Sequence, residues 1–133
     1  MNDDEIDPTP QGELALQVVA MPGDVNAFGD ISAGWLVSQM DLAAEIVAAR
    51  IAGGRVVTVA IEELAFMQPV YVGATVGCYV EVLEIGRSSV RILVEVWTRL
   101  PSDAQPNKIT EGEFVLVSID GSGRTRAVKR LPR

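Results

Sequence analysis

A chain of 133 residues with 48% apolar residues is long enough to bury one core and too short for two. Its formal net charge of −7 argues against a nucleic-acid partner, because binding to a phosphate backbone depends on clustered Lys and Arg. The single cysteine excludes an intramolecular disulfide, and charges or glycines break every apolar stretch before membrane-spanning length, so no membrane partner is expected.

The chain opens on Asn2-Asp3-Asp4-Glu5-Ile6-Asp7, acidic where a signal peptide would be basic and then apolar, which points to a cytoplasmic protein. Residues 1–11, with Pro8, Pro10 and four acidic side chains, are expected to form a disordered tail. Residues 13–20 read as a first strand, ended by Pro22 and Gly23. A loop with Asn26, Gly29 and Asp30 leads to Ser32, which caps a helix running to about Ala52 and stopped by Gly53-Gly54. The period then changes. Residues 55–62 are rich in β-branched side chains and form a buried strand, and residues 68–73 form a connection. Residues 75–84 alternate as a strand, Gly86-Arg87-Ser88-Ser89 is a hairpin turn, and residues 90–99 return antiparallel. After a polar loop over 101–107, residues 108–120 supply the last strand before Gly121-Ser122-Gly123. Beyond it, Arg124, Arg126, Lys129, Arg130 and Arg133 read as a solvated end, with local anion binding as the alternative.

The helix organises the rest. From Trp35 to Ile51 only Ser38, Gln39, Asp41, Glu45 and Arg50 interrupt the apolar residues, so most of its circumference must be covered by protein. Ser38, Asp41 and Glu45 follow i, i+3, i+7 spacing and form a polar strip along one side. A sheet of consecutive antiparallel hairpins curling around this rod buries it on three sides. That is an α+β hotdog fold: an antiparallel sheet of about five strands wrapped around one long central helix. It is a single domain over residues 12–126, with a basic tail over 127–133. The uncovered side and its polar strip call for a second copy of the chain, a homodimer at least.

The chain contains no histidine. Ser-His-Asp and Cys-His chemistry, imidazole metal ligands and the commonest general base near neutral pH are therefore absent, and no metal site is expected. Cys78 alternates with Val76, Val80 and Val82 and reads as a small buried hydrophobe. Asp41 has two readings. It is either a structural carboxylate paired with Ser38 or an arginine, or a base or nucleophile, since partial burial raises a carboxylate's pKa. Asn26 either closes its turn or orients a water or a carbonyl. The N–H groups at the helix start, around Ala33, Gly34 and Trp35, carry the positive end of the helix dipole and suit a developing oxyanion.

The ordered set Met21-Pro22, Asn26, Gly29-Asp30-Ile31, Gly34-Trp35-Leu36, Ser38-Gln39-Met40-Asp41 and Gly54-Arg55-Val56-Val57-Thr58-Val59 resembles the YciA-like acyl-CoA thioesterases of the hotdog superfamily. Pro69-Val70, Val72-Gly73, Gly86-Arg87-Ser88-Ser89 and Val94-Glu95-Val96-Trp97 extend the likeness over about residues 14–126. The resemblance implies hydrolysis of acyl-CoA to free acid and CoA, with CoA a substrate moiety and product and no separate cofactor. It implies Asp41 as base or nucleophile, Asn26 as the loop asparagine of a site completed by the neighbouring subunit, and Gly34 as the helix-start glycine holding the thioester oxygen. Arg55, Arg87, Ser88 and Ser89 fall at positions near the CoA moiety, and relatives assemble as trimers of dimers. The chain departs from the family in three places. Ser32-Ala33-Gly34 stands where an aromatic-Gly-Gly is usual, bringing a methyl group into the tightest part of the site. Val25 replaces a common threonine and Gly53 a common histidine. The altered helix start motivates the alternative of a non-catalytic acyl-CoA-binding or sensor protein. A hotdog dehydratase is disfavoured because those enzymes rely on a histidine.

Overall fold

The computed structural model describes residues 9–128. They form β1 (Glu13–Val19), one turn of 3-10 helix (Pro22–Asp24), α1 (Ala33–Ala52), β2 (Val56–Phe66), β3 (Thr75–Ile85), β4 (Ser89–Arg99) and β5 (Asn107–Ser118). Ser32 sits at the N-cap of α1 in an extended conformation. At its other end Gly53 takes φ 70°, the left-handed conformation that glycine adopts without steric cost, and donates its N–H to the Ala49 carbonyl at 2.9 Å. Residues 1–8 of the expected 1–11 tail and the basic residues Lys129, Arg130 and Arg133 lie outside the described residues.

The strands form one antiparallel sheet in the order β1-β3-β4-β5-β2. This corrects the expectation of consecutive hairpins: β3-β4 and β4-β5 are neighbours, but β2 pairs with β5 and β1 with β3. The chain enters the sheet at one edge, crosses it as α1, and re-enters at the other, so the helix contacts all five strands. Every ladder carries a register shift, at Leu14/Leu16, Thr58/Ala60, Glu62/Ala65, Val82/Glu84 and Val96/Trp97. Each extra residue bends its strand and increases the local twist, and together they curl the sheet around the helix. β2 runs four residues beyond its expected end because one of these bulges, with Glu63 at φ 51°, lets Ala65 and Phe66 pair again with β5.

Leu36, Met40, Ala43, Ala44, Val47, Ala48 and Ala52 form the buried stripe of α1, and the alanines let the helix lie close to the strands. Against them pack Val76, Cys78, Ile92, Val94, Phe114 and Leu116, alternate residues of the inner sheet face. The helix is covered on this side alone. Leu42 and Ile46 are 49% and 48% exposed, so the single chain leaves open more of the rod than the three-sided burial expected from its composition. Of the expected 127–133 tail, the described part is tied down. The Val128 N–H donates to the Arg87 carbonyl at 2.8 Å, and its side chain packs on the core.

Met40 is fully buried at the centre of the helix stripe. Replacing it with alanine should cost about 2–5 kcal/mol, as for other large-to-small core changes. Urea unfolding followed by circular dichroism checks this, and a loss under about 1 kcal/mol would show that the helix–sheet core is not closely packed there.

Candidate active site

Asp41 lies two turns into α1, half-buried on the side of the helix that faces the start of β2. The Thr58 hydroxyl donates to Asp41 Oδ1 at 2.5 Å. Thr58 precedes the bulge at Val59, which re-aims the strand beside the carboxylate. Among the described residues no cation lies within ion-pair distance of Asp41. One turn on, Glu45 holds its proton above the usual carboxylate range: its side chain hydrogen-bonds to Asp41, burial disfavours its charge, and the Asp41 charge repels it. Asp41 and Glu45 thus stand as neighbouring carboxyls one helical turn apart, with Thr58 fixing one oxygen of the first. The sequence alone assigns no role to Thr58 and no raised proton affinity to Glu45. Thr58 read as one β-branched residue among several, although its alternation along β2 already placed it opposite Val57 and Val59.

At the helix start the Ser32 Oγ accepts the Trp35 N–H at 3.1 Å and the Ser32 carbonyl accepts the Leu36 N–H at 3.3 Å. Trp35 is therefore not one of the free donors expected there. The remaining free donors are the N–H groups of Ala33 and Gly34, which have no partner among the described residues. A Cβ placed on Gly34 would meet only Ser32 Oγ, at 4.0 Å. Within one chain the helix start is thus open rather than tight. The Ala33 methyl instead lines the mouth of an apolar cleft of about 360 Å³, with Ile31, Leu36, Phe66, Met67 and Val70.

Asn26 is committed on one side. Its Oδ1 accepts the N–H groups of Phe28 at 2.9 Å and Asp30 at 3.1 Å, closing the loop that leads into α1. With that oxygen engaged, its Nδ2 amide is the group left to donate to a ligand. Asp41 and Gly34 are separated by seven residues of helix, a rise of about 10 Å. They cannot both reach one carbonyl from the same chain.

The four residues expected near CoA gather at the opposite end of the helix, though not as one cluster. Arg87 and Ser88 line a pocket of about 230 Å³ with Thr125, Arg126 and Ala127. Ser89 is turned under the hairpin, its Oγ 2.6 Å from where a Gly86 Cβ would stand. The Arg55 carbonyl accepts the Ile119 N–H at 3.0 Å, tying the start of β2 to the chain beyond β5. Elsewhere, burial pushes the Cys78 thiol up to about 12, leaving it inert at neutral pH. Among the described residues no group of three or more His, Cys, Asp or Glu is placed to hold a metal, and no helix is long and apolar enough to cross a membrane.

Residues 28–101 match the model of the thioesterase superfamily. The acyl-CoA thioester hydrolase YciA of Salmonella typhimurium is 47% identical over 124 residues, 91% of this chain and 93% of its own. An uncharacterised acyl-CoA thioester hydrolase of Haemophilus influenzae is 45% identical over 123 residues, 90% of this chain and 80% of its own. Among solved structures, a hexameric broad-specificity acyl-coenzyme A thioesterase superposes with a TM-score of 0.88 at 44% identity, covering 92% of this chain and 85% of that one. A hexameric thioesterase of Yersinia pestis gives 0.87 at 44% identity, covering 92% and 100%.

The carboxyl pair makes stability depend on pH. Because Glu45 is shifted above its ordinary value of 4.5, the folded chain binds more protons than the unfolded one between 4.5 and the shifted value. Its contribution to stability therefore falls as pH rises through that window. Glu45→Gln, which keeps a donor toward Asp41 without the charge, should stabilise the protein by about 0.2–0.5 kcal/mol at neutral pH. The gain should vanish below pH 4.5, where Glu45 is protonated in both states. Thermal unfolding across pH checks it, and a gain of equal size at all pH values would show that the two carboxyls do not interact.

Proposed function

The chain belongs to the thioesterase superfamily, among its YciA-type acyl-CoA thioester hydrolases, and from that premise we propose that it hydrolyses acyl-CoA to free acid and CoA using Asp41 as the catalytic carboxylate. The observation that carries this reading is the state of Asp41: among the described residues no cation neutralises it, the Thr58 hydroxyl holds one of its oxygens, and it lies half-buried where α1 meets the edge strand β2. A carboxylate locked to an arginine would be structural. This one meets only the Thr58 hydroxyl and the Glu45 carboxyl, and each of its oxygens keeps a lone pair that can take a proton from water.

In the proposed reaction Asp41 removes a proton from a water as its oxygen bonds to the thioester carbonyl carbon. The carbonyl oxygen takes up the displaced electron pair and is held by the Ala33 and Gly34 N–H groups at the positive end of the helix dipole, with the Asn26 Nδ2 amide as a further donor. Collapse of this intermediate breaks the carbon–sulfur bond, releasing the acid and CoA, whose sulfur takes up the proton. Direct attack by Asp41 would instead form an acyl anhydride that water then opens. Incorporation of oxygen-18 into Asp41 during one turnover separates the two routes. Acyl chains fit the apolar cleft at Ala33, Phe66 and Met67, and Arg55, Arg87, Ser88 and Ser89 serve the CoA moiety.

The 10 Å rise between Gly34 and Asp41 makes this a site of two chains: amides and Asn26 from one, Asp41 from another. The half-exposed Leu42 and Ile46 beside the carboxylates suit the same contact, and the hexameric relatives support a homo-oligomer, which we assign as a trimer of dimers.

Asp41→Ala should lower kcat on acyl-CoA by about a hundredfold or more, and Asn26→Ala should also lower it substantially. Co-expressed in equal amounts, the two defective chains should recover about a quarter of wild-type activity, since half the dimers are mixed and each mixed dimer rebuilds one intact site. Free CoA released to a thiol reagent measures both. An active Asp41→Ala enzyme would remove Asp41 from the chemistry, and no recovery on mixing would place Asp41 and Asn26 in one chain's site.

A further inference from the structure

We infer that Arg126, on the segment that follows β5, is a phosphate ligand for the nucleotide end of CoA, seated there by Gly54. The inference rests on the acyl-CoA reading above and adds a residue to its CoA-binding group.

The cations of this acidic chain divide sharply among the described residues. Arg50 pairs with Glu13, Arg91 with Glu62 and Glu113, and Lys108 with Glu95 and Glu111, while Arg99 donates to the Asp103 and Ala104 carbonyls. Arg55, Arg87, Arg124 and Arg126 have no carboxylate within 4.0 Å, and all four lie where the β3–β4 turn, the start of β2 and the chain beyond β5 meet. The junction is held by backbone bonds: Ser118 N–H to the Ser88 carbonyl at 2.7 Å, Ile119 N–H to Arg55, Arg126 N–H to the Ser118 carbonyl at 2.9 Å, and Val128 N–H to Arg87. Asp120, the acid of this segment, does not neutralise them. Its Oδ1 accepts the Ser122 hydroxyl and the Ser122 and Arg124 N–H groups, bonds that hold its carboxyl below the usual range and lock the turn that sends the chain back toward Arg87.

Arg126 is positioned rather than solvated. Its guanidinium lies on the Gly54 backbone so closely that a Cβ there would stand 2.1 Å from Nη2, and its Nε is buried with no hydrogen-bond partner among the described residues. A guanidinium held in place by packing, with no carboxylate on it among the described residues, is oriented before any ligand arrives beside the pocket that the residue lines. The pocket it lines offers a second guanidinium, Arg87, and the hydroxyl-bearing Ser88 and Thr125. Two guanidiniums and hydroxyls around a small cavity match a phosphate group, whose oxygens accept paired N–H donors. Asp41 and the helix end before Gly54 are about 16 Å apart along α1, so this end contacts the carrier and not the reacting bond.

The test compares wild type with Arg126→Gln, Arg126→Lys and Gly54→Ala on one acyl group carried by CoA, by dephospho-CoA and by pantetheine. Arg126→Gln should raise KM for acyl-CoA about tenfold or more with little change in kcat, and Arg126→Lys should restore part of the loss. Gly54→Ala, which keeps the arginine but displaces it, should give the same selective rise. On acyl-pantetheine all four proteins should be alike. If the difference persists on acyl-dephospho-CoA the contacted group is the pyrophosphate, and if it disappears there it is the 3′-phosphate. An unchanged KM for acyl-CoA in Arg126→Gln, or an equal loss on acyl-pantetheine, overturns the inference. Calorimetric binding of CoA keeps the two readings apart: weaker binding by Arg126→Gln supports the phosphate contact even if wild type hydrolyses nothing, and equal binding removes it while leaving the thioesterase reading intact.

Discussion

One helix has to fill the core along one side and hold a working carboxylate along the other. The apolar stripe from Leu36 to Ala52 fixes the rotation of α1 against the sheet, and that rotation alone decides that Asp41 and Glu45 emerge toward the edge of β2 and not into the interior. Thr58 then acts as the link between the two halves, since a strand residue facing the helix supplies the hydrogen bond that orients Asp41. Rotating the helix by about 100° in the direction that carries Asp41 to the place of the fully buried Met40 would take its charge into the apolar core at a large desolvation cost.

The sheet order follows from the same demand. Placing β1 and β2 at opposite edges puts strands beneath the whole length of the helix, and the bulges in every ladder supply the curl that lets flat strands follow a cylinder. The bulge between Thr58 and Ala60 serves both purposes, bending β2 and aiming Thr58. The two ends of α1 are then chemically distinct. Its N-terminus offers the amides of Ala33 and Gly34, unpartnered among the described residues, while beyond its C-terminus the Arg126 guanidinium lies on Gly54. An elongated substrate with a reactive carbonyl at one end and phosphates at the other fits that polarity.

Much of this is legible in the sequence alone. Ser32 and Gly53-Gly54 marked the helix ends because capping chemistry is local, and the strands announced themselves by alternation and by the Gly86–Ser89 turn. Asp41 stood out as a charge where the pattern demanded apolar residues. What could not be read were the relations between distant segments. Nothing in residues 55–66 states that they pair with β5 and not with β3, and Glu63 at φ 51° is a conformation that only the completed ladder makes favourable. The Asp41–Glu45 neighbourhood is implicit in their four-residue spacing, but Thr58 joins the site only through the fold. The Trp35 N–H is a capped donor and not a free one, because the Ser32 hydroxyl reaches over one turn to accept it. Arg126 looked like part of a charged end, since its seat on Gly54 lies 72 residues away in sequence and has no local signature.

The most direct measurement is a crystal structure with a non-hydrolysable ketone analogue of acyl-CoA, in which a methylene replaces the sulfur. The expected result is the carbonyl oxygen within about 3 Å of the Ala33 and Gly34 N–H groups of one chain, with the Asp41 carboxylate of a second chain facing the carbonyl carbon. A carbonyl bound far from Asp41, or an Asp41 found bridged to a cation in the assembled protein, would contradict the assignment and leave only the fold.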